Sequence, residues 1–374
     1  MHKTAGKKEA GRRFFAFSFA KKLLDWSEKH PRPMPWRSTR DPYKIWVSEV
    51  LLQQTRVEQA LPYYERFLKR FPDLQTLAAA QVDDVLKAWE GAGYYARARN
   101  LHQAAKLILE RHGGRIPQQK EALAALPGFG PYTTAAVLSI AFGKPFAVLD
   151  GNVERVLSRV FAYKGQAGVA QTRRWLQHKA QTLLLEGKAR EYNLALMDAG
   201  ATVCTPKKPK CPQCPFKSFC QAHQEGDEEA YPLKGKERKI PHYEVSVGLV
   251  WRKNRILVLQ RPLEKFLGGL WELPGGRREE GETRQEACER EMREETGLQV
   301  KAGPLVARVK HAYSHFKITL YAFECLEKAK NKKKIVRPLD GHLQAKWVPF
   351  DGLKEYAFPG ANRKVLAALA GRHV

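Results

Sequence analysis

The spacing of apolar residues divides the chain into two regions with different predicted secondary structure. From about residue 10 to about residue 220, apolar positions recur at helical intervals, with short glycine and proline breaks between them. From Tyr243 onwards, four segments have the composition of β-strands, at 245–251, 255–260, 316–324 and 345–349. The pattern predicts an all-α region followed by an α+β region.

Between these regions, residues 224–241 are first acidic, then basic, and poor in aliphatic side chains, as is typical of a linker. We therefore expect a helical domain at residues 1–223, an interdomain linker at 224–241 and a second domain at 242–374. The 374 residues, of which 43% are hydrophobic, are enough to form two cores. The basic run at 328–334 is interpreted as a solvated hairpin turn.

The charge of the chain favours a polyanionic partner. Its 65 lysines and arginines against 39 acidic residues give a net charge of +26, spread along the sequence. Such a charge without hydrophobic anchors indicates nucleic acid more readily than a membrane. The short apolar run at 14–20 meets Lys21 and Lys22 at once, so we interpret it as the core face of a first helix and not as a signal peptide. We expect a cytoplasmic protein at the nucleoid of a bacterial cell, with no membrane partner.

Four of the six cysteines crowd into one short segment. Cys204, Cys211, Cys214 and Cys220 have the spacing C-x6-C-x2-C-x5-C. Four thiolates in one loop suit either tetrahedral zinc or a [4Fe–4S] cluster, and the chemistry of the ligands leaves both open. The loop also carries lysines, which we expect to meet phosphates. The two remaining cysteines, Cys288 and Cys325, stand apart in the sequence and are expected to pack in the interior.

A glycine-rich turn connects two of the predicted helices. Residues 126–132 read Leu-Pro-Gly-Phe-Gly-Pro-Tyr, with helical patterns at 120–125 and 133–142 on either side. Gly128 and Gly130 suit a tight turn with positive φ angles. The free N–H groups at the start of the second helix would then bind an anion such as a DNA phosphate. Taken alone, the motif is also compatible with an ordinary turn.

Two carboxylates have surroundings that shift their pKa values in opposite directions. Glu49 lies beside an apolar helical stripe formed by Ile45, Trp46 and Leu52, and burial there would keep it protonated near neutrality. Asp150 precedes a helical pattern at 153–161, where free N–H groups favour the ionised form. A neutral acid with an ionised partner is what cleavage of a glycosidic bond requires. The structural alternatives are a salt-bridged Glu49 and an Asp150 that only caps its helix.

The stretch from Trp36 to Cys220 resembles the helix-hairpin-helix DNA glycosylase superfamily, and its cysteine loop is similar to the iron–sulfur loop of that superfamily. Within the superfamily, residues 48–55 (Ser-Glu-Val-Leu-Leu-Gln-Gln-Thr) and 149–153 (Leu-Asp-Gly-Asn-Val) resemble the MutY family of adenine DNA glycosylases. The resemblance extends into the second domain. It implies an all-α glycosylase domain with a [4Fe–4S] cluster loop at 204–220, followed by an α+β Nudix-like domain that reads the lesion.

The resemblance also implies the reaction. Adenine mispaired with 8-oxoguanine, or with guanine, would be removed from double-stranded DNA. Glu49 would protonate adenine N7, Asp150 would stabilise the cationic sugar, and Tyr132 and Asn152 would orient them. Where strand-cleaving relatives have a lysine amine that forms a Schiff base, this chain has Tyr132, so we expect a monofunctional enzyme that leaves an abasic site. We expect a monomer, and the sequence does not identify downstream repair partners.

Further residues are matched to the base pocket and to the DNA. Trp36, Arg37 and Val57 would line the pocket of the flipped-out adenine. The residues expected to contact the duplex or the lesion are Gln54, Thr55, Tyr94, Gly128, Gly130, Tyr313, Ser314 and His315. The serine hydroxyl would accept a hydrogen bond from N7–H of 8-oxoguanine, which guanine lacks. One position departs from the family, because Leu194 replaces a glutamine or glutamate that contacts adenine, so we expect weaker polar readout there.

The second domain contains a complete Nudix box, whereas most members of the family that it resembles have degraded versions. The box begins at Gly276, and its Glu291, Glu294 and Glu295 recur at i, i+3 and i+4, so they are candidate Mg²⁺ ligands. An alternative function is therefore hydrolysis of oxidised nucleotides, although the same pattern can simply hold the loop and helix together. A third reading is a DNA-binding protein without enzymatic activity. The combination of Glu49, Asp150 and Tyr132 argues against that reading.

Overall fold

The computed structural model describes residues 2–235, 239–328 and 336–371, and the side chains of residues 2–10 and 12 are not among those described. Residues 236–238 of the predicted linker and most of the basic run at 328–334 therefore lie outside the described residues. The described residues form two compact units. The first takes its residues from Met1–Tyr64, Phe71–Ala78 and Gln103–Glu237, and the second from Glu65–Arg70, Ala79–His102 and Arg238–Val374.

Helices build the chain up to residue 225, as the apolar spacing predicts. They are α1 His2–Lys29, α2 Pro42–Leu52, α3 Val57–Arg70, α4 Leu74–Ala79, α5 Val82–Ala88, α6 Ala96–His112, α7 Lys120–Ala124, α8 Pro131–Ile140, α9 Gly151–Val160, α10 Ala170–Leu183, α11 Ala189–Thr202 and α12 Gln221–Glu225. Among the described helices, none has both the length and the apolar character needed to span a bilayer.

The core of the first unit forms where α1, α9, α10 and α11 meet. Phe19 and Leu23 from α1 pack there with Leu157 from α9 and Leu196 from α11, all fully or almost fully buried. A second apolar cluster joins α2 to α8 through side chains such as Ile45. Because α8 and α11 also pack against each other, the two clusters fix α2, α8 and α9 relative to one another. These three helices carry the predicted catalytic residues.

The glycine-rich turn joins α7 to α8. Gly128 has a φ of +81°, in the left-handed region that favours glycine. Gly130 differs from the prediction, because its φ is −69° and it is the extended N-cap residue of α8. Pro131 then occupies the first helical position, where its fixed φ and missing N–H cost nothing. A positive φ is therefore required at only one of the two glycines.

The described residues after 238, which form most of the second unit, are built on a mixed sheet with two helices, so the predicted α+β character is confirmed. Its strands are β1 His242–Arg252, β2 Arg255–Gln260, β3 Trp271–Glu272, β4 Gly275–Arg277, β5 Val300–Ala312, β6 Lys317–Glu327 and β7 Gln344–Pro349, and its helices are α13 Arg284–Thr296 and α14 Gly360–Ala370. The strand order is β3-β2-β1-β6-β5, with β4 paired to β1 and β7 to β2. Only the β1–β6 pair among these strands is parallel, with Val247 opposite Ala322.

Buried cysteines lie in the core beneath α13. Cys288 and Cys325 are both buried, as predicted, and their Sγ atoms lie 3.6 Å apart. Gly248 in β1 makes room for them, since a Cβ there would lie 3.2 Å from the Cys325 sulfur and 2.7 Å from the sulfur of Met292. These contacts pack the Nudix-box helix against the sheet.

Candidate active site

The helix α2 presents Glu49 to the interior. Asp41 caps the helix by accepting a hydrogen bond from the N–H of Tyr43 at 2.9 Å, and Pro42 occupies the first helical turn. Eight residues later Glu49 is only 3% exposed, beside the fully buried Ile45. The apolar environment predicted for this carboxyl group is therefore present.

Tyr132 at the start of α8 hydrogen-bonds to this carboxyl group. The phenol donates to Glu49 Oε2 at 2.5 Å. Burial raises the pKa of Glu49 to about 7, while the Tyr132 hydrogen bond and the charge of Arg37 lower it and the charge of Asp150 raises it. Burial also raises the pKa of Tyr132 well above its usual value, so the phenol keeps its proton and remains a donor. The pair can hold or release one proton near neutral pH.

Asp150 caps α9 and also belongs to a hydrogen-bonded pair. Its carboxylate accepts from the N–H of Val153 at 2.7 Å and from Asn152 Nδ2 at 3.0 Å. Burial nevertheless raises the pKa of Asp150 above its ordinary value, although these hydrogen bonds and the charge of Arg155 lower it. The helix terminus predicted a lowered pKa for Asp150, but burial has the larger effect and raises it.

A residue that sequence reasoning missed connects Asp150 to the cysteine loop. Arg155 Nη2 donates to Asn152 Oδ1 at 2.8 Å and to the Gly200 carbonyl at 2.7 Å, and its Nε donates to the Cys204 carbonyl at 2.6 Å. Gly200 is needed for this approach, because a Cβ there would lie 2.7 Å from Asn152 Cβ. The only local signal was the spacing of three between Asn152 and Arg155 on one helix.

Arg37 is held by a second missed residue, Asp198. Two hydrogen bonds join the guanidinium to the buried Asp198 carboxylate, one of them from Nη2 to Oδ1 at 2.8 Å, and Arg32 adds a contact of 2.7 Å. The neighbouring Trp36 is buried and packs edge-on against Tyr64, with ring centroids 5.1 Å apart. Arg37 is thereby fixed near Glu49, whose pKa its charge lowers.

The remaining pocket residue, Val57, and the departing residue, Leu194, are both partly buried. Val57 is half-buried at the first position of α3. Leu194, the residue that departs from the family pattern, packs against the α2–α8 cluster, whose partly buried members include Tyr132 and Met197. Leu194 therefore adds apolar surface to the cluster that Tyr132 also contacts.

The four predicted ligand cysteines converge around one cavity. Cys204, Cys211, Cys214 and Cys220 all line it, together with the buried Arg159. Burial and neighbouring charges raise the pKa values of Cys211 and Cys214 to about 12, so four thiolates require a positively charged group between them. The residues present therefore fit a metal cluster. Arg159 donates to Cys204 Sγ at 3.3 Å and would temper the charge of that ligand.

The predicted DNA-contact residues lie at exposed turns. Gln54 and Tyr94 are exposed and have positive φ angles of 60° and 47°, and Thr55 is half-buried. In the second unit, the hydroxyl groups of Tyr94 and Ser314 lie 2.5 Å apart. Ser314 and His315 are exposed in the turn between β5 and β6. The half-buried Tyr313 precedes them, and its ring packs edge-on against Phe266 at 5.2 Å.

The three glutamates predicted to bind Mg²⁺ do not converge on one point. Arg290 donates to Glu291 Oε1 at 2.9 Å and to Glu294 Oε2 at 3.0 Å, and it also binds Glu282. Glu295, on the same side of α13, is more deeply buried and accepts from the Gly275 N–H at 2.7 Å. This arrangement matches the structural alternative, in which the Nudix-box residues hold the loop and the helix together.

Comparison with known proteins identifies three segments. Residues 47–181 match the HhH-GPD superfamily of base excision DNA repair proteins, residues 204–220 match the iron-sulfur binding domain of endonuclease III, and residues 246–368 match the NUDIX domain. The iron–sulfur match agrees with the convergence of the four cysteines.

Relatives and a solved structure extend the comparison. The adenine DNA glycosylase of Homo sapiens is 33% identical, with 95% of this chain and 74% of that protein covered. The adenine DNA glycosylase of Rattus norvegicus is 32% identical over 93% of this chain and 77% of that protein. A thermostable thymine-DNA glycosylase has a similar structure, with a TM-score of 0.52 and 33% identity over 58% of this chain and 99% of that chain. With this identity over nearly its whole length, and with the glycosylase, iron–sulfur and NUDIX segments in order, the chain belongs to the adenine DNA glycosylase family.

Proposed function

We propose that this protein hydrolyses the N-glycosidic bond of adenine paired with 8-oxoguanine, or with guanine, in double-stranded DNA and leaves an abasic site. The observation that carries the proposal is the buried Glu49–Tyr132 hydrogen bond of 2.5 Å, together with the influence of the Asp150 charge on the pKa of Glu49. The protein acts as a monomer, and Cys204, Cys211, Cys214 and Cys220 hold a [4Fe–4S] cluster.

Glu49 acts as the general acid. A group with a pKa of about 7 is partly protonated at neutral pH and is still acidic enough to give up its proton. It protonates N7 of the extruded adenine, which makes the base a better leaving group. The deprotonated carboxylate can then activate the water that attacks the sugar. Tyr132 keeps the carboxyl group in one orientation throughout, and Trp36, Arg37 and Val57 enclose the base.

Asp150 stabilises the positive charge that develops on the sugar. The carboxylate is fixed by the Val153 N–H and by Asn152, so it needs no reorganisation when the charge appears. Its negative charge faces an oxocarbenium-like centre, either as a counter-ion or through a transient covalent bond.

The products follow from the residue at position 132. A Schiff base needs an amine, and the phenol of Tyr132 cannot form one. The strand therefore stays intact at the abasic site.

Ser314 distinguishes 8-oxoguanine from guanine. Its hydroxyl is exposed and lies 2.5 Å from that of Tyr94, a residue we expect to enter the duplex beside the lesion. Tyr94 can donate to Ser314 Oγ, which leaves a lone pair free to accept from N7–H of the oxidised base. Tyr313 and His315, which flank Ser314, contribute further contacts to the lesion, and Gln54 and Thr55 contribute contacts to the duplex from the first unit.

The proposal is tested with duplexes that carry adenine opposite 8-oxoguanine, guanine, thymine or cytosine, assayed with and without hot alkali. Strand breaks are expected for the first two duplexes only, and only after alkali. Glu49→Gln should slow base release by about 10²–10⁴-fold, the usual contribution of general acid catalysis. Strand breaks without alkali, or an undiminished rate in this variant, would overturn the mechanism.

Lesion reading is tested separately by the ratio of rates on 8-oxoguanine and guanine duplexes. Ser314→Ala should lower this ratio about five- to tenfold, the value of one hydrogen bond between neutral groups. Ser314→Thr keeps the hydroxyl group and serves as the matched control. An unchanged ratio in the alanine variant would show that another residue reads the lesion.

A further inference from the structure

The second unit contains residues from both halves of the chain. Residues 79–102, which include α5 and the start of α6, belong to the same compact unit as the β-sheet. The turn between these two helices carries Tyr94, whose hydroxyl lies 2.5 Å from that of Ser314. Both side chains are exposed, so their contact persists only where the two backbones are held at one separation. The contacts of α5 and α6 with the sheet therefore bear on Tyr94.

Asp83 joins α5 to the sheet. Gln260 Nε2 donates to its Oδ1 at 2.7 Å, and Trp271 Nε1 donates to its Oδ2 at 3.4 Å. Gln260 ends β2, Trp271 begins β3, and both are almost fully buried. A buried N–H that loses its acceptor is costly, so these two donors favour one position of α5. The adjacent Asp84 is exposed and instead pairs with Arg70 at 3.2 Å.

The loop between β2 and β3 contacts both helices. Arg99, in the first turn of α6, donates from Nη1 to the Gly268 carbonyl at 2.7 Å. Gly269 has a φ of +79°, and a Cβ there would lie 2.8 Å from Cδ1 of the fully buried Leu86 in α5. The loop is closed by hydrogen bonds between Arg261 and Gly269 at 3.0 Å and between Arg261 and Leu270 at 2.9 Å. A single closed loop thus holds α5 and α6 together.

Glu90 fixes the end of α5. Its Oε1 accepts from the Phe358 N–H at 3.2 Å. Its Oε2 accepts from Lys87 Nζ at 2.8 Å, and the same Nζ donates to the Tyr356 carbonyl at 3.1 Å. The segment that precedes α14 therefore holds α5 at the end nearest Tyr94.

The turn itself has little freedom. Trp89 Nε1 donates to the Gly93 carbonyl at 3.0 Å, and Arg97 Nη2 donates to the carbonyls of Ala92 and Gly93 at 3.0 and 3.2 Å. The Arg97 guanidinium lies 5.3 Å from the centroid of the Tyr94 ring. Tyr94 has a φ of +47°, a conformation that a non-glycine residue keeps only where its surroundings enforce it. The position of Tyr94 is therefore set by α5 and α6.

We propose that Asp83 and Arg99 are positioning residues for lesion recognition. They hold the turn on the sheet from its two sides and keep the Tyr94 hydroxyl beside Ser314 before DNA binds. A preformed pair needs no ordering when the duplex arrives, which strengthens binding of the base that it reads. This inference rests on the proposed reading of 8-oxoguanine by Ser314. The lesion is read by one unit to which both halves of the chain contribute.

The test compares single-turnover excision by the full chain with its iron–sulfur cluster on 8-oxoguanine and guanine duplexes. Asp83→Ala and Arg99→Met should each lower the ratio of the two rates at least about threefold, as expected for a weakened hydrogen bond. Asp84→Ala is the matched control, and its ratio should stay within about twofold of the parent value. Unchanged ratios in both test variants, beside a lowered ratio in Ser314→Ala, would overturn the positioning role.

A double-variant cycle separates positioning from general support of the fold. In a Ser314→Ala background, Asp83→Ala should lower the ratio no further, because both changes act on one contact. An equal further drop would show that Asp83 does not act through Ser314, and the inference would be wrong. An unchanged ratio in Ser314→Ala alone would overturn the proposed function, and this inference with it.

Hydrogen exchange of the full chain without DNA needs no folded variant. Amides of residues 89–97 should be protected in the parent protein, because the turn is preformed. In Asp83→Ala the same segment should exchange faster. Free exchange of this segment in the parent protein would overturn the inference, since Tyr94 would then not be positioned before DNA binds.

Discussion

Replacing Glu49 by glutamine is expected to stabilise the protein at alkaline pH while it slows excision. Glu49 is 3% exposed, and burial is the largest cause of its raised pKa. Its ionised form is therefore disfavoured in the folded protein and not in the unfolded chain. Glutamine has nearly the same shape, can accept the Tyr132 hydrogen bond and never ionises. The variant therefore removes the cost of ionising a buried carboxyl group and leaves the packing in place.

The size of the effect follows from the two pKa values. The folded value is about 7 and the ordinary value is 4.5, a difference of about 2.5 pKa units. At 1.36 kcal/mol per unit this corresponds to about 3 kcal/mol. Because the folded state binds the proton more tightly, this stability is present below about pH 4.5, is lost as the pH rises to about 7, and stays lost above it. The glutamine variant does not lose this stability, because its side chain does not ionise.

Urea unfolding followed by circular dichroism at pH 5 and pH 8 measures this difference. Compared with the parent protein, Glu49→Gln should gain up to about 3 kcal/mol between the two pH values. Glu58→Gln provides the matched control, since Glu58 is exposed in the first turn of α3 and its removal involves no desolvation. If both variants gain the same amount, or if Glu49→Gln gains nothing at pH 8, the buried-acid argument is wrong.

Three further variants test the surroundings of the acid. Tyr132→Phe removes a hydrogen bond that lowers the pKa of Glu49. The pH at which the rate of single-turnover excision falls on the alkaline side should therefore rise by about one unit. Tyr43→Phe is the control, because its hydroxyl donates to the Phe71 carbonyl at 2.8 Å, and it should leave this pH unchanged. Gly200→Ala puts a Cβ 2.7 Å from Asn152 Cβ and should slow excision about tenfold or more, whereas Gly11→Ala meets nothing within 4 Å and should not. Arg155→Lys cannot bridge Asn152, Gly200 and Cys204 as a guanidinium does, so excision rate and iron content should fall together; full activity with full iron content would refute the bridging role.

Local sequence patterns predicted the parts of the site that are formed within a single helix or a single short loop. The apolar neighbours of Glu49 on α2 predicted its burial, and the four cysteines lie close enough in sequence for their convergence to be expected. The bridging residues could not be found in this way. Arg37 and Asp198 are 161 positions apart, and Arg155 binds carbonyl groups whose position depends on how α9 and α11 pack. No periodicity in the sequence encodes such a distance.

The strands show a similar division. The four segments with regular alternation form β1, β2, β6 and β7, with ends shifted by up to three residues. The long strand β5 was not predicted, because Gly303 and Pro304 interrupt it and read as a turn. The register of β5 against β6 shifts between Ala302 and Leu305, so the interruption is a bulge within a continuous strand. Glycine and proline are common in both bulges and turns, so the two cannot be distinguished from the sequence of β5 alone. The pairing with β6 distinguishes them.

In the Nudix-box helix, helical spacing alone does not determine which partner each glutamate has. A period of 3.6 residues places Glu291, Glu294 and Glu295 on one side of α13, but that side is wide enough to face two different environments. Arg290, in the same helix, takes the two more exposed carboxylates, while Glu295 turns towards His342, a residue 47 positions further along the chain. The choice between these partners is made by burial, since an arginine at the surface remains partly hydrated and a histidine in the interior needs a buried acceptor. Glutamates spaced along one helix can thus have different partners, and only the tertiary structure reveals them.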